Sequence, residues 1–350
     1  MPSHCIDLYS DTQTRPTPGM RAAMAQALVG DEQSDGDPTT LQLCEQVAEL
    51  LGQEAGVFMP SGTMCNLVAI LTHTRPGDEL ICDHQSHIYG TEAAGAAALA
   101  GVSIRALMSP HGIFEAQQVV EAVRPRTRTA PRTTLLSVEQ TTNFSGGAVW
   151  ALSQLHAVRD AARAHGLSCH MDGARLLNAT AATGIAVADY AAGWDSAWVD
   201  LSKGLGCPAG AVLCGSAEFV REAWQWKYRL GGAMRQSGVL AAAGLYALEH
   251  HIEQLAIDHA NAQSIWRVLS ACDLFCFDPP RPASNIVRFS FGSASVNAEA
   301  FAARCLAEGV RVRAIGGNFI RATTHLDVTA QAAATAAQTM LAVARAMAER

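Results

Sequence analysis

The sequence predicts an α/β chain: a large, mostly parallel sheet with helices on both faces, then a small C-terminal α+β domain. Three observations carry this reading. From about residue 39 to about residue 214, short apolar runs alternate with helix-length segments, the pattern of parallel strands joined by crossovers. Ser61, Glu139, Asp172 and Lys203 each follow directly on one of those runs, and ligands in such sheets bind beyond the carboxyl ends of the strands. Past Asp278-Pro279-Pro280-Arg281-Pro282 the composition shifts and strand signals recur on a smaller scale. We place a large domain with its N-terminal segment at 1–240, and a connecting helix with the small domain at 241–350.

Residues 1–16 read as irregular. Pro18 opens a helix that ends at Gly30, and Thr39 caps a second that Gly52 ends. Strands follow at 56–59, 79–82, 103–107, 133–138, 167–171, 197–201 and 211–214. Helices at 62–71, 89–100, 115–123 and 152–164 separate them. Residues 234–271 read as one long helix. The small domain has strands at 284–291 and 309–324, a helix at 297–307 between them, and an alanine-rich closing helix at 328–348.

Of the 350 residues 49% are hydrophobic and 16% charged, and the net charge is −7. No basic stripe points to nucleic acid, no apolar run reaches membrane-spanning length, and the N-terminus lacks the blocks of a signal peptide. Ten scattered cysteines, several inside apolar segments, read as reduced thiols of a cytoplasmic protein. Cys272 and Cys276 lack the further ligands of a zinc set, so no metal site is expected.

The chemistry concentrates between Asp172 and Lys203. Asp172 ends an apolar run, and Lys203 follows another and precedes Gly204-Leu205-Gly206. A lysine leaving a buried strand loses its proton readily and suits a Schiff-base amine. A carboxylate that pairs with a pyridinium nitrogen is the other half of a pyridoxal phosphate site. Ser61, Gly62 and Thr63 stand at a helix start, where free N–H groups bind phosphate; Ser61 reads equally well as an ordinary cap. His84 and His87 follow a strand, and His87, at the next helix start, is the better placed to stack on a cofactor ring. Arg175, one turn past Asp172, and Arg321, on a small-domain strand, are suited to gripping a carboxylate. Arg235, after Gly231-Gly232, is a candidate to reach a phosphate, including one across a subunit boundary.

Together these pieces resemble the L-threonine aldolase family, of the low-specificity or allo-threonine type, among the fold type I (aspartate aminotransferase-like) pyridoxal phosphate enzymes. The match runs in order through Leu8-Tyr9-Ser10-Asp11-Thr12, Asp37-Pro38-Thr39, Ser61-Gly62-Thr63, Glu139-Gln140-Thr141 and His170-Met171-Asp172-Gly173-Ala174-Arg175. It continues through Ser202-Lys203-Gly204-Leu205-Gly206, Met234-Arg235-Gln236-Ser237-Gly238 and Arg321. The resemblance implies that Lys203 carries the cofactor, Asp172 holds its ring nitrogen and His87 stacks on the ring. It places Ser61, Gly62, Thr63, Glu139, Arg175 and a neighbouring subunit's Arg235 around the cofactor, and Ser10, Arg175 and Arg321 on the substrate carboxylate. The implied reaction is retro-aldol cleavage of threonine, allo-threonine or a related β-hydroxy-α-amino acid to glycine and an aldehyde. The implied assembly is a homotetramer, a dimer of dimers with sites between subunits. A racemase, transaminase or β-eliminating lyase on the same scaffold, or a non-catalytic homologue, are the alternatives. Three positions depart from the family: Tyr9 replaces an Arg, Ser34 a Tyr, and Thr142 a His that normally lies near the substrate hydroxyl.

Overall fold

The computed structural model describes residues 5–292 and 296–349. The first part of the run expected to be irregular, 1–4, with its reading as a non-signal sequence, lies outside the described residues. The strands are β1 (Ile6–Asp7), β2 (Ala55–Met59), β3 (Asp78–Asp83), β4 (Ser103–Leu107), β5 (Arg132–Glu139), β6 (Ser168–Asp172), β7 (Ser196–Asp200) and β8 (Ala211–Gly215). They continue with β9 (Phe275–Phe277), β10 (Ile286–Phe291), β11 (Val310–Arg311), β12 (Arg313–Ala314) and β13 (Ile320–Thr323).

The large sheet has the order β2-β8-β7-β6-β5-β3-β4, and only β8 runs against its neighbours. β3, β7 and β8 are buried along their whole length because helices cover both faces. The cover includes the helices Pro38–Leu51, Gly62–His73 and Leu152–Ala164. The first is capped by Asp37, not by the expected Thr39; Pro38 takes the first helical position and Asp37 Oδ1 accepts the Thr40 N–H at 2.9 Å. The small antiparallel sheet has the order β12-β13-β10-β9. Phe275, Phe289, Phe291 and Phe301 fill a second core beneath it, which also takes in Leu8 from the N-terminal segment.

Further stretches differ from the sequence expectation. The helix expected to run from Pro18 to Gly30 already ends at Ala25. The helix expected at 234–271 is two, Gly238–His250 and Gln254–Ser270. At the break, His251 Nδ1 meets the Leu205 carbonyl at 2.7 Å, so the turn docks on the loop that follows Lys203. The helix expected at 89–100 is two single turns, His87–Gly90 and Gly95–Ala98. Between them Ala93 and Ala94 adopt left-handed backbone, and Glu92 turns inward to Asn66 and His87. The strand expected at 309–324 is broken into β11, β12 and β13 by the left-handed turn at Gly316, Gly317 and Asn318. β11 pairs in parallel with β1, which ties residues 6–7 to 310–311. Among the described residues no helix is long and apolar enough to cross a membrane.

Gly173, directly after β6, has no room for a side chain: a Cβ would lie 1.8 Å from the Trp198 carbonyl oxygen in β7. Backbone cannot yield as a flexible side chain can. Gly173→Ala is expected to cost about 3 kcal/mol or more, read as a melting temperature lower by roughly 6 °C or more. A melting temperature equal to the wild type's would mean that β6 and β7 separate freely here.

Candidate active site

β7, β6, β5 and β3 are adjacent in the sheet, and their carboxyl ends finish in Asp200, Asp172, Glu139 and Asp83. A cavity of about 500 Å³ opens over this acid edge. It gathers Ser10, Ser61, Gly62, Thr63, His87, Glu139, Asp172, Arg175, Lys203 and Arg321 from the large sheet, the small sheet and the N-terminal segment. Arg235 is not among its walls; 60% exposed, it donates to Asp31 at 2.8 Å. His84 lies in a separate depression with Phe144 and Arg288.

Asp172 is buried and rigidly held. Its Oδ1 accepts the Ala174 N–H at 3.0 Å and its Oδ2 accepts from Asn66 Nδ2 at 2.8 Å. Asn66 uses its whole capacity: it also donates to Glu92 at 2.7 Å, and its Oδ1 faces Trp198 Nε1 at 2.8 Å and His170 Nε2 at 3.1 Å. His170 Nδ1 in turn meets Ser196 Oγ at 2.8 Å, and Ser196 meets His73 Nε2 at 2.8 Å. One set of proton positions satisfies this line, with each group donating toward Asp172. The line ends at a second cavity of about 550 Å³, which contains His73 and lies by the amino ends of β6 and β7.

Lys203 is less buried than a lysine leaving a strand suggests. Its side chain is 18% exposed, its Nζ lies 2.5 Å from Asp200 Oδ2, and the Trp198 ring lies beneath it. Ser61 caps the helix Gly62–His73 through Met64 N–H at 3.2 Å. Among the described residues the Gly62 and Thr63 N–H groups bond no protein acceptor, so they stay available to an anion.

His87 Nδ1 lies 2.8 Å from Glu92 Oε1, which leaves Nε2 as the free ring nitrogen. Burial raises the Glu92 carboxyl, opposed by its bonds to His87 and Asn66. Burial, and then the Asp172 charge, push the Glu139 carboxyl well above the ordinary range, against the opposing pull of Arg175 and Lys203. Arg175 donates from Nε and Nη2 to Asp11 at 2.7 and 2.8 Å. Burial raises the Asp11 carboxyl, but Arg175, with Lys203 and Arg321 behind it, outweighs burial and holds it well below its usual value. Arg321, 1% exposed, has only neutral partners among the described residues, Asn143 Oδ1 at 2.5 Å and the Tyr9 carbonyl at 3.3 Å.

Sequence reasoning did not single out Asp11, Asn66, Glu92 or Asp200 as site residues. Two of them left a signal. Asp200 ends an apolar run just as Asp172 does, and Asn66 is a lone amide in an otherwise apolar helix segment. The contacts of Asp11 and Glu92 depend on loop paths that no spacing encodes.

Burial pulls His73 down to about 4 and His170 to about 3, so both are neutral in the fold. Unfolded imidazoles take a proton near pH 6.5. Below that pH the unfolded state binds more protons, and stability is lost as pH falls toward the folded values. The melting temperature should therefore drop between about pH 6.5 and about pH 4. The drop should be shallower in His73→Gln, which removes one of the two groups. Equal slopes in the two proteins would place the acid sensitivity elsewhere.

The model of the family described as beta-eliminating lyase matches residues 7–291. The low specificity L-threonine aldolase of Escherichia coli K12 is 38% identical over 325 residues, which cover 93% of this chain and 95% of that one. A Caenorhabditis elegans relative, 39% identical over 266 residues and 76% of this chain, is longer, and the match spans 64% of its length. A threonine aldolase structure from Leishmania major superposes with a TM-score of 0.83 over 97% of this chain and 99% of that one; at 19% identity it attests to the fold. Identity at this level along nearly the whole chain makes it a member of the L-threonine aldolase family within the beta-eliminating lyases.

Proposed function

We propose that the chain is a pyridoxal phosphate-dependent aldolase that cleaves threonine, allo-threonine or a related β-hydroxy-α-amino acid to glycine and an aldehyde. The observation that carries this reading is the convergence of Lys203, Asp172 and the Ser61–Thr63 helix start on one cavity. The donor set fits the cofactor: an amine, a fixed carboxylate with lone pairs to spare, and N–H groups that await an anion. Bound there, pyridoxal phosphate supplies an electron sink for the charge left on Cα when the Cα–Cβ bond breaks.

Each residue then has a task. Lys203 supplies the amine that attaches the cofactor. Asp172 holds a proton on the ring nitrogen, and Asn66 keeps that carboxylate aimed. Ser61, Gly62 and Thr63 hold the phosphate at the positive end of their helix. Glu139, at the end of β5, lines the same cavity. Arg321, whose Nε has no partner among the described residues, and Ser10 grip the substrate carboxylate. Arg175, with two nitrogens committed to Asp11, retains Nη1 for the same group or for the cofactor.

His87 stacks over the ring, and its free Nε2 takes the proton of the β-hydroxyl. Thr142 does not replace the family's histidine here: it is buried, and its hydroxyl accepts the Ala148 N–H at 3.0 Å. Arg235 reaches the phosphate of a neighbouring subunit in a homotetramer, consistent with its exposure. The ten free cysteines support a cytoplasmic setting.

The test is an absorbance spectrum of the purified protein with aldehyde release from L-threonine and L-allo-threonine. The expected results are a yellow band that Lys203→Ala loses on dialysis, and stoichiometric aldehyde and glycine. A yellow band without aldehyde from either substrate would move the assignment to racemase, transaminase or β-elimination chemistry. His87→Asn is expected to lower kcat by about 10² to 10⁴, the usual worth of a positioned proton acceptor. Full turnover in that variant would remove His87 from the proton transfer.

A further inference from the structure

We propose that the site is built for a β-hydroxy-α-amino acid whose β-substituent ends in a second carboxylate, and that Arg313 is the residue that binds it. The inference rests on the aldolase reading for its reaction and goes beyond it in naming the substrate class.

The argument is a balance of charges around the cavity. Four cations reach its walls: Lys203, Arg175, Arg321 and Arg313. Asp200 neutralises Lys203 and Asp11 neutralises Arg175. Glu139 acts on Arg175 and Lys203, and Asp172 is held by Asn66 and the Ala174 N–H. Arg321 and Arg313 remain without a carboxylate. Among the described residues Arg313 makes no side-chain ion pair or hydrogen bond; its guanidinium rests 5.2 Å from the Tyr9 ring and 5.6 Å from the Phe144 ring.

The sheet forces these charges together. In the register of β12, β13 and β10, Arg321 stands directly opposite both Arg313 and Arg288, so the three side chains share one face. Like charges in directly opposed positions repel. Arg288 is relieved by Asp278, but Arg313 and Arg321 are not. Burial, with repulsion from Arg175 and Arg313, pulls Arg321 down to about 10. A monocarboxylate amino acid neutralises one guanidinium of this pair and leaves the other facing the bound substrate.

Depth assigns the two. Arg321 is fully buried and stands where the α-carboxylate is expected, whereas Arg313 is half-buried on the outer side. The Arg313 guanidinium lies over both the Tyr9 and the Phe144 ring, and its planar fork suits a carboxylate with two hydrogen bonds. For 3-hydroxyaspartate the reaction balances without a co-reactant. The Cα–Cβ bond breaks, the hydroxyl proton leaves to the base, Cα takes a proton, and the products are glycine and glyoxylate.

The experiment compares 3-hydroxyaspartate with threonine as substrates of the holoenzyme. It also compares L-aspartate with L-alanine, neither of which can release an aldehyde by this cleavage, by calorimetric titration. Wild type should favour the acidic member of each pair by roughly ten- to hundredfold, the worth of a charge-assisted pair. Arg313→Gln should lower both ratios by a similar factor, and Arg313→Lys should restore part. An Arg313-dependent preference for aspartate without aldehyde from any substrate would support the subsite while the aldolase reading fails. Aldehyde from threonine, with ratios that Arg313→Gln leaves unchanged, would overturn the subsite and leave the aldolase reading standing.

Discussion

The site depends first on keeping a carboxylate charged and motionless inside the protein. Asp172 is 3% exposed, and an unpaired charge at that depth is costly. No cation pairs with it directly; a backbone N–H and the Asn66 amide do. Asn66 can serve only if its own oxygen is satisfied, and Trp198 and His170 satisfy it. His170 in turn needs Ser196, and Ser196 needs His73. Asn66, His170 and Ser196, all buried, with Trp198 and His73 beside them, thus aim one oxygen, and both imidazoles stay neutral. This explains why His170 and Ser196 sit inside otherwise apolar strands.

The second constraint is repulsion among the acids that end β7, β6, β5 and β3. Four neighbouring strands bring four carboxyls to one edge, and each is handled differently. Asp200 has Lys203, Asp172 has neutral donors, the Glu139 carboxyl is raised by burial, and Asp83 accepts from Ser109 at 2.5 Å and the Gln85 N–H at 2.8 Å. The different treatments separate the chemistry of groups that look alike in sequence. Asp172 is held by fixed donors, Glu139 is biased toward its protonated form, and Asp200 holds the lysine.

These differences explain what could be read without coordinates. Strand ends were legible because buried parallel strands are apolar runs, and an acid or lysine that ends such a run is conspicuous. Lys203, Asp172 and Glu139 therefore came out correctly placed at one edge. The breaks within 89–100, 234–271 and 309–324 were not legible, because they go with tertiary contacts and a turn that spacing does not encode: Glu92 on Asn66, His251 on the lysine loop, β11 on β1, and the left-handed turn at 316–318. Alanine at 93–94 has no propensity for left-handed backbone, so helix was the natural reading there. Arg313 was missed because its meaning lies in cross-strand register, which only the turn at 316–318 sets.

The N-terminal segment connects the two sheets through the site. Leu8 enters the small-domain core, its carbonyl accepts the Thr323 N–H at 2.9 Å, and its N–H donates to Arg311 at 2.8 Å. Two residues on, Ser10 lines the cavity, and Asp11 clamps Arg175 while also accepting from Asn285 at 3.2 Å. Thr14 then donates to the Lys203 carbonyl at 2.8 Å. A stretch of seven residues thus touches the small sheet, the Arg175 guanidinium and the lysine loop in turn. Most groups proposed for the cofactor follow strands of the large sheet, whereas the substrate carboxylates are met from this segment, from β12 and β13, and by Arg175 after β6. The two binding tasks thus meet at Arg175. Changes at Tyr9 or Arg313 can retune the carboxylate contacts without touching the partners of Asp172 or Lys203.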